Sequence, residues 1–414
     1  MGEGLTVLVN AGPWLPVPPP GYGGIETVVA TLVPELRRLG IRVVLASVAT
    51  STLEVDGLVS ALPDGQLPRI AAPYNQSSGV AHAHMGAVLA ALRADPTIDL
   101  VHDHLEVVGP AVLAAMGPDG PPVLQTLHWD LRKHAEFYGG FDGAGRVWFA
   151  GVSADQVARA PAALRAQTVG VVPLAVPPAP PREPGSPRPT GAVDAGRVDA
   201  SGLAGPRLHA LVLARITRDK GQDVAVRVCR AAGHPLVLAG PVAGIGDPGE
   251  LAARLADPGD PLHSHPDAAY WRDEVAPGVD GDLVRWVGEV GGPVKERLLA
   301  GARVLLAPNR WAEPGATGVV EALGRGVPVI ATPLGVLPSL VTDGVTGFLA
   351  RDETGLVAAL GRVDDLDPAA CVASVAGWTP AAMAQRYVEL YREVIARAAA
   401  ARAGHQAQRP VPVG

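Results

Sequence analysis

The strongest constraint on this chain is a pattern that it shows twice. Leu5–Val9 reads as a short buried strand. A loop rich in Pro and Gly follows, through Gly21-Tyr22-Gly23-Gly24. Val28, Val29, Leu32, Val33, Leu36 and Leu39 then recur at helical spacing, Gly40 supplies a stop, and Ile41–Ala46 is again strand-like. That is one strand–helix–strand unit. Leu100–His102 and Val123–Leu127 read as further strands. The pattern begins again with strand Leu208–Ala214, helix Gln222–Ala232 and strand Leu236–Ala239. Leu283–Val287, Val304–Ala307, a helix near Gly318–Gly324 and Val327–Ala331 continue it. Alternation of this kind predicts an α/β chain with two doubly wound parallel sheets. Between the halves, Pro177–Pro206 is dense in Pro, Gly, Ser and Arg and reads as a linker. The expected organisation is a Rossmann-like domain over 1–176, a linker over 177–206 and a second Rossmann-like domain over 207–378. A C-terminal helix over 379–403, with Met383, Tyr387, Leu390, Tyr391 and Ile395 on one face, and a frayed tail over 404–414 complete it. Ala243–Gly281 reads as an extended loop-rich insertion.

Composition supports this and excludes several functions. In 414 residues, hydrophobic types make up 48% and aromatic ones only 4%, so the cores are built from Ala, Val and Leu, which suits sheets buried on both faces. The net charge of -7 comes with no basic stripe, which argues against nucleic acid. No basic cluster flanks an apolar helix and no run approaches the ~20 apolar residues of a membrane span. The N-terminus lacks the features of a signal peptide. Cys229 and Cys371 are the only cysteines, so no disulfide framework is expected, and a cytoplasmic protein fits.

In open α/β sheets, ligands lie beyond the carboxyl ends of the strands, which directs attention to four segments. Gly23 and Gly24 precede Ile25-Glu26 at a helix start; such a loop either makes a tight turn or lets backbone approach an anion. Its spacing is not that of a dinucleotide fingerprint. Arg215, Asp219, Lys220 and Gly221 follow the first strand of the second half. Two cations there suit a diphosphate, and an ion pair on a solvated loop is the plainer reading. Lys220 gains weight because the chain has only three lysines, the others being Lys133 and Lys295. The third segment, Trp311 to Leu323, carries Glu313 and Glu321. Pro314 and Gly315 imply a turn that swings Glu313 out, after which Ala316, Thr317, Gly318 and Val319 open a helix whose amides can face a phosphate. His128 ends a strand and is either structural or a hydrogen-bonding group for a ligand. The pairs His82/His84, His102/His104 and His263/His265 come with no evident third ligand, so no metal is expected. Asp280-Gly281-Asp282 precedes a strand and reads as a turn.

On these residues the chain resembles family 4 glycosyltransferases. The matching pieces occur in order: Gly23-Gly24-Ile25-Glu26, Asp99-Leu100-Val101-His102, Thr126-Leu127-His128, Val152-Ser153, Arg215 with Asp219-Lys220-Gly221, Gly288, and Glu313 to Glu321. Gly326–Ala331 and Asp343–Phe348 complete the set. The resemblance implies a GT-B fold, in which two Rossmann-like domains face a cleft and the C-terminal helix crosses back to domain one. It implies a nucleotide-sugar donor, retention of anomeric configuration, and no metal or other cofactor. It also implies that Arg215 and Lys220 hold the diphosphate, Glu321 the ribose and Glu313 the transferred sugar. Gly23 and Gly24 would meet the phosphates, His128 the sugar near the reacting centre, and Gly288 with Gly315, Ala316, Thr317, Gly318 and Val319 would belong to the donor site. One departure stands out: Glu313-Pro314-Gly315-Ala316 occupies the place of the family's Glu-Pro-Phe-Gly, a form loosely associated with actinobacterial natural-product enzymes.

The expected function is therefore transfer of a sugar from a nucleoside-diphosphate sugar, UDP-sugar favoured, to a small or soluble acceptor. Another GT-B enzyme, such as a phosphorylase or a sucrose- or trehalose-type synthase, is the rival within enzymes. A non-catalytic nucleotide-sugar-binding protein is the rival outside them.

Overall fold

Parallel strands set the whole architecture. The computed structural model describes residues 4–21, 23–70, 74–117, 120–177 and 208–407. The linker read at 177–206 lies outside these apart from Pro177, as does the tail beyond Ala407. The chain divides into two compact units. One holds the residues up to Pro19, Gly23–Val176 and those from Trp378 on; the other holds the remainder up to Gly377.

The first unit carries strands β1 (Thr6–Asn10), β2 (Arg42–Ala46), β3 (Gly57–Val59), β4 (Leu100–Asp103), β5 (Val123–Leu127), β6 (Val147–Gly151) and β7 (Thr168–Val171). They form one sheet in the order β3-β2-β1-β4-β5-β6-β7 with parallel pairing throughout. The second unit carries β8 (His209–Leu213), β9 (Leu236–Ala239), β10 (Val284–Trp286), β11 (Ala302–Ala307), β12 (Val329–Ala331) and β13 (Gly347–Leu349). Their order is β10-β9-β8-β11-β12-β13, again parallel. Both orders are those of a doubly wound Rossmann-like sheet. The strand order reverses between β1 and β4 in one and between β8 and β11 in the other, and those switch points are where such sheets bind ligands.

The helix Gly24–Arg38 follows from its sequence directly. Val28, Val29, Leu32, Val33 and Leu36 are all buried on one face, and Leu39 closes the last turn. Against that face packs the long helix Pro380–Ala407, whose Met383, Tyr387, Val388, Tyr391 and Val394 join the same core. The C-terminal helix thus belongs to the first unit's fold, and it runs on through residues 404–407, which the sequence assigns to a frayed tail. Tyr387 and Tyr391 are fully buried and set their hydroxyls on Thr126 (3.0 Å) and on Nδ1 of His102 (2.8 Å).

The segment read as loop-rich, Ala243–Gly281, is instead substantially helical. It holds Pro248–Ala256, a turn at Pro261–Ser264, Pro266–Tyr270 and a wider turn at Trp271–Val275. Asp247, Asp260 and His265 cap three of these with their side chains, and each stands directly before a proline. Cap plus Pro at the first helical position is a start signal, and here it occurs three times in succession. Leu251, Leu262, Ala268, Tyr270, Trp271 and Val275 bury themselves in the second core. Among the described residues, no helix is long and apolar enough to cross a membrane.

Candidate functional site

In the second unit the switch point gathers the charged residues singled out above. Arg215 follows β8 and is exposed. The chain then turns through Arg218–Lys220, and Gly221 leads into the helix Gln222–Ala232. From the neighbouring strand β11 the chain passes through Pro308 and Asn309 to Glu313. The two loops are tied together: the Arg310 amide donates to the Asp219 carbonyl (2.8 Å), and the Arg310 guanidinium donates to Asp223 (2.7 Å). Burial acts against the Asp223 charge, but hydrogen bonds from Arg310, Tyr270 and Arg227 outweigh it and hold the carboxyl well below its usual range.

This clamp brings Lys220 onto Glu313. The ammonium bonds to Oε2 of Glu313 and lies 5.1 Å from the centre of the Trp311 ring. The same oxygen also accepts from Asn309 Nδ2 (3.0 Å) and from Trp311 Nε1 (3.1 Å). Three donors on one oxygen fix the carboxylate plane. The backbone of Glu313 is fixed too: its carbonyl accepts from the Val336 amide (2.8 Å), and Gly335, at φ +62°, lies so close that a Cβ there would come within 2.3 Å of the Glu313 backbone.

The turn inferred from Pro314 and Gly315 is present. Ala316 sits in the left-handed region at φ 48° and ψ 49°, and the helix Thr317–Leu323 starts behind it. Left-handed backbone favours glycine, so where the related motif ends in Gly this chain carries an alanine under strain. Glu321 is buried on that helix, and its Oε1 accepts from Lys295 Nζ (2.9 Å). Both carboxylates of the motif are thus paired with a lysine, and these are two of only three lysines in the chain. Lys295 was marked by its rarity, but its partner was not legible, because it comes from a different element. Two of the candidates meet local demands. The Val319 amide is already bonded to the Ala316 carbonyl (2.9 Å). Gly288 stands at φ +74° with the Gly246 carbonyl 2.1 Å from where a Cβ would be, so this turn demands glycine on packing grounds.

In the first unit, Gly23 precedes the helix Gly24–Arg38 in an extended conformation, and a Cβ on it would run into Pro19 at 2.7 Å. Glu26, in the first turn, is buried, and that burial raises its carboxyl to about 7. At the switch point itself lies a buried polar network. Asp103 accepts from Asn10 Nδ2 (2.7 Å), Gln125 Nε2 (2.9 Å) and the Leu105 amide (3.2 Å), and His84 Nε2 meets Asn10 Oδ1 at 2.6 Å. Burial raises Asp103 to about 7. Beside it, His128 at the end of β5 meets His104 (Nε2 to Nδ1, 2.7 Å), and His102 meets Thr126 Oγ1 (2.8 Å). Burial lowers His84 to about 4 and His102 and His128 to about 3, and His104 well below its ordinary value.

These groups set the acid response of the first unit. The four histidines have depressed native values, so their contribution is present above the unfolded value of about 6.5 and is lost as pH falls. Glu26 and Asp103 have raised values and act oppositely between about 4 and 7. Four protons taken up by the unfolded chain outweigh two taken up by the native one. The melting temperature is therefore expected to fall between pH 7 and pH 5 at constant ionic strength, as followed by calorimetry; a rise over that interval would contradict the burial of these imidazoles.

The other histidine pairs have different surroundings. His82 and His84 lie on the helix Tyr74–Ala94, and His263 and His265 in a turn and a helix cap. Among the described residues no group of three or more His, Cys, Asp or Glu is placed to hold a metal ion. Asp280 caps the turn before β10, accepting from the Asp282 and Val284 amides.

Two family models match this chain, one on each unit. The model described as glycosyltransferase family 4 matches residues 22–164, and that described as glycosyl transferases group 1 matches 209–364. The chain is a family 4 glycosyltransferase. Solved structures agree with the architecture. AviGT4, a glycosyltransferase involved in avilamycin A biosynthesis, is 27% identical over 95% of this chain and 98% of its own, with a TM-score of 0.58. Sucrose-phosphate synthase of Thermosynechococcus elongatus is 20% identical over 95% and 99%, with a TM-score of 0.64. Anabaena HepE, solved with UDP and glucose, is 14% identical over 94% and 100%, with a TM-score of 0.59. This glycosyltransferase accordingly has the GT-B class of fold, two Rossmann-like domains with the C-terminal helix packed on the first. A search of curated proteins gives no significant match.

Proposed function

We propose that this glycosyltransferase uses a nucleoside-diphosphate sugar, UDP-sugar favoured, and transfers the sugar with retention to a small soluble acceptor, a natural product or a saccharide. The observation that carries the reading is the contact of Lys220 with Glu313 at the switch point of the second sheet, with Glu321 following on the next helix. In it, Arg215 and Lys220 take the diphosphate, Glu321 the ribose hydroxyls and Glu313 the hydroxyls of the transferred sugar. Charge that develops on the departing diphosphate meets two cations and the amides that precede Val319. Gly23 and Gly24 face the phosphates and His128 the sugar near its reacting carbon. The likeness to AviGT4, at 27% identity, supports a natural-product acceptor.

A thermal-shift panel of UDP-, GDP-, ADP- and dTDP-sugars tests donor use. One or more is expected to raise the melting temperature and to be consumed slowly without acceptor. Stabilisation without consumption, even with acceptors supplied, would make the chain a binding protein; cleavage of a glycoside by inorganic phosphate would make it a phosphorylase.

With protein cations neutralising the phosphates, no divalent ion is required. Activity is expected to survive EDTA. Loss on chelation that Mg²⁺ or Mn²⁺ restores would overturn this part of the proposal.

A further inference from the structure

The histidines at the ends of β4 and β5 hold information about where protons sit. His104 Nδ1 and His128 Nε2 are 2.7 Å apart, so exactly one of them carries the bridging proton when both rings are neutral. The other nitrogen of His104, Nε2, is buried and meets no hydrogen-bond partner among the described residues. Were the His104 proton on Nε2, an N–H donor would be buried unsatisfied. With the proton on Nδ1, only a lone pair is left over. Orphaned buried N–H groups are the rarer and costlier of the two. The His104 proton therefore belongs on Nδ1, from which it is donated to His128 Nε2.

The consequence falls on His128. Its Nε2 is occupied as an acceptor, so its own proton must sit on Nδ1. We infer that His104 is a positioning residue that locks His128 in the Nδ1–H tautomer, so that His128 offers a ligand an N–H donor and not a basic nitrogen. The neighbours keep His104 in place. His102 lies against it, ring centres 4.2 Å apart and planes tilted by 43°, and is itself held at both nitrogens, by Thr126 Oγ1 and by the Tyr391 hydroxyl, each at 2.8 Å. Protonating His128 would put N–H against N–H unless His104 moved its proton to the orphaned nitrogen, which agrees with the lowered values of both rings. If His128 meets the transferred sugar, as in the proposed function, it donates to a sugar oxygen and does not deprotonate the acceptor. That fits a retaining reaction in which the departing phosphate takes the proton.

The test is nitrogen NMR of the full chain labelled with ¹⁵N-histidine, with the His128 signals assigned by their loss in His128→Gln. His128 is expected to show a protonated Nδ1 and an unprotonated Nε2 at pH 7.5. His104→Asn, whose amide can donate from near the former Nδ1, should preserve that signature. His104→Phe should release His128 to the Nε2–H form that unconstrained neutral imidazoles favour, and should lower kcat roughly tenfold with KM little changed, the Asn variant recovering most of it. An Nε2–H His128 in the native protein, or a tautomer indifferent to His104→Phe, overturns the inference. The NMR readout needs no substrate, so it stands or falls separately from the glycosyl-transfer reading.

Discussion

Glu313→Gln is expected to reduce kcat by roughly a hundredfold to a thousandfold, the scale of removing one preorganised electrostatic contact at a reacting centre. The fold should hold. Oε2 of Glu313 accepts from Lys220, Asn309 and Trp311, and a glutamine can turn its amide oxygen to those same donors. That turns the amide nitrogen outward, where the carboxylate would have offered Oε1, so a sugar hydroxyl that donated to an anion now meets a donor. Affinity for the free nucleotide should be unchanged or slightly tighter, because Lys220 is no longer drawn to a carboxylate and can serve a diphosphate. Glu321→Gln provides the contrast. It keeps an acceptor for Lys295 but loses the charge proposed to face the ribose, so nucleotide affinity should fall with little specific effect on kcat. Kinetics beside calorimetric titration of both variants decide the matter. A Glu313→Gln protein that chiefly loses nucleotide affinity would refute the assignment.

Lys220→Ala is expected to be the most damaging of the cation substitutions. It removes a charge-assisted hydrogen bond of about 1.5–3 kcal/mol to the diphosphate, which is roughly tenfold to hundredfold in kcat/KM. It also leaves the Glu313 carboxylate with only the neutral donors Asn309 and Trp311, so a poorly compensated anion faces the incoming diphosphate and deepens the loss. Lys220→Arg should rescue poorly, since a planar guanidinium cannot take the place of a compact ammonium between Glu313 and the Trp311 ring. Steady-state kinetics with donor in excess check this, with circular dichroism as the control for folding. Unchanged kinetics in Lys220→Ala would reduce the ion pair to a structural feature.

Much of the architecture was legible because its cores are simple. Val123–Leu127, Gln222–Ala232 and Leu236–Ala239 were read with their observed limits, since a wholly buried strand and a one-faced helix leave clear apolar patterns. The strands missed were β3, β6, β7 and β13. Three of these, β3, β7 and β13, lie at sheet edges and are only three or four residues long, and so carry little pattern. The helices within 243–281 were hidden by their Pro and Gly content, although Asp247-Pro248, Asp260-Pro261 and His265-Pro266 were start signals and not breaks. At the candidate site, residue type and order singled out Lys220, Glu313 and Glu321. They could not reveal that Lys220 rests on Glu313, or that Asn309 and Trp311 share the same oxygen, because those contacts depend on how β8 and β11 lie side by side. His104 was visible only as half of a His-x-His pair, and its role comes from the approach of β5.

In the proposed reaction the second unit's Lys220, Glu313 and Glu321 hold a nucleoside-diphosphate sugar whose anomeric bond is replaced on the face from which the diphosphate leaves. The most direct measurement is proton NMR of donor turnover in the absence of acceptor, recorded before the released sugar mutarotates, with Glu313→Gln as the control. With an α-linked donor, the α-anomer of the free sugar should appear first, and the control should show almost none. First appearance of the β-anomer would establish inversion and contradict the account.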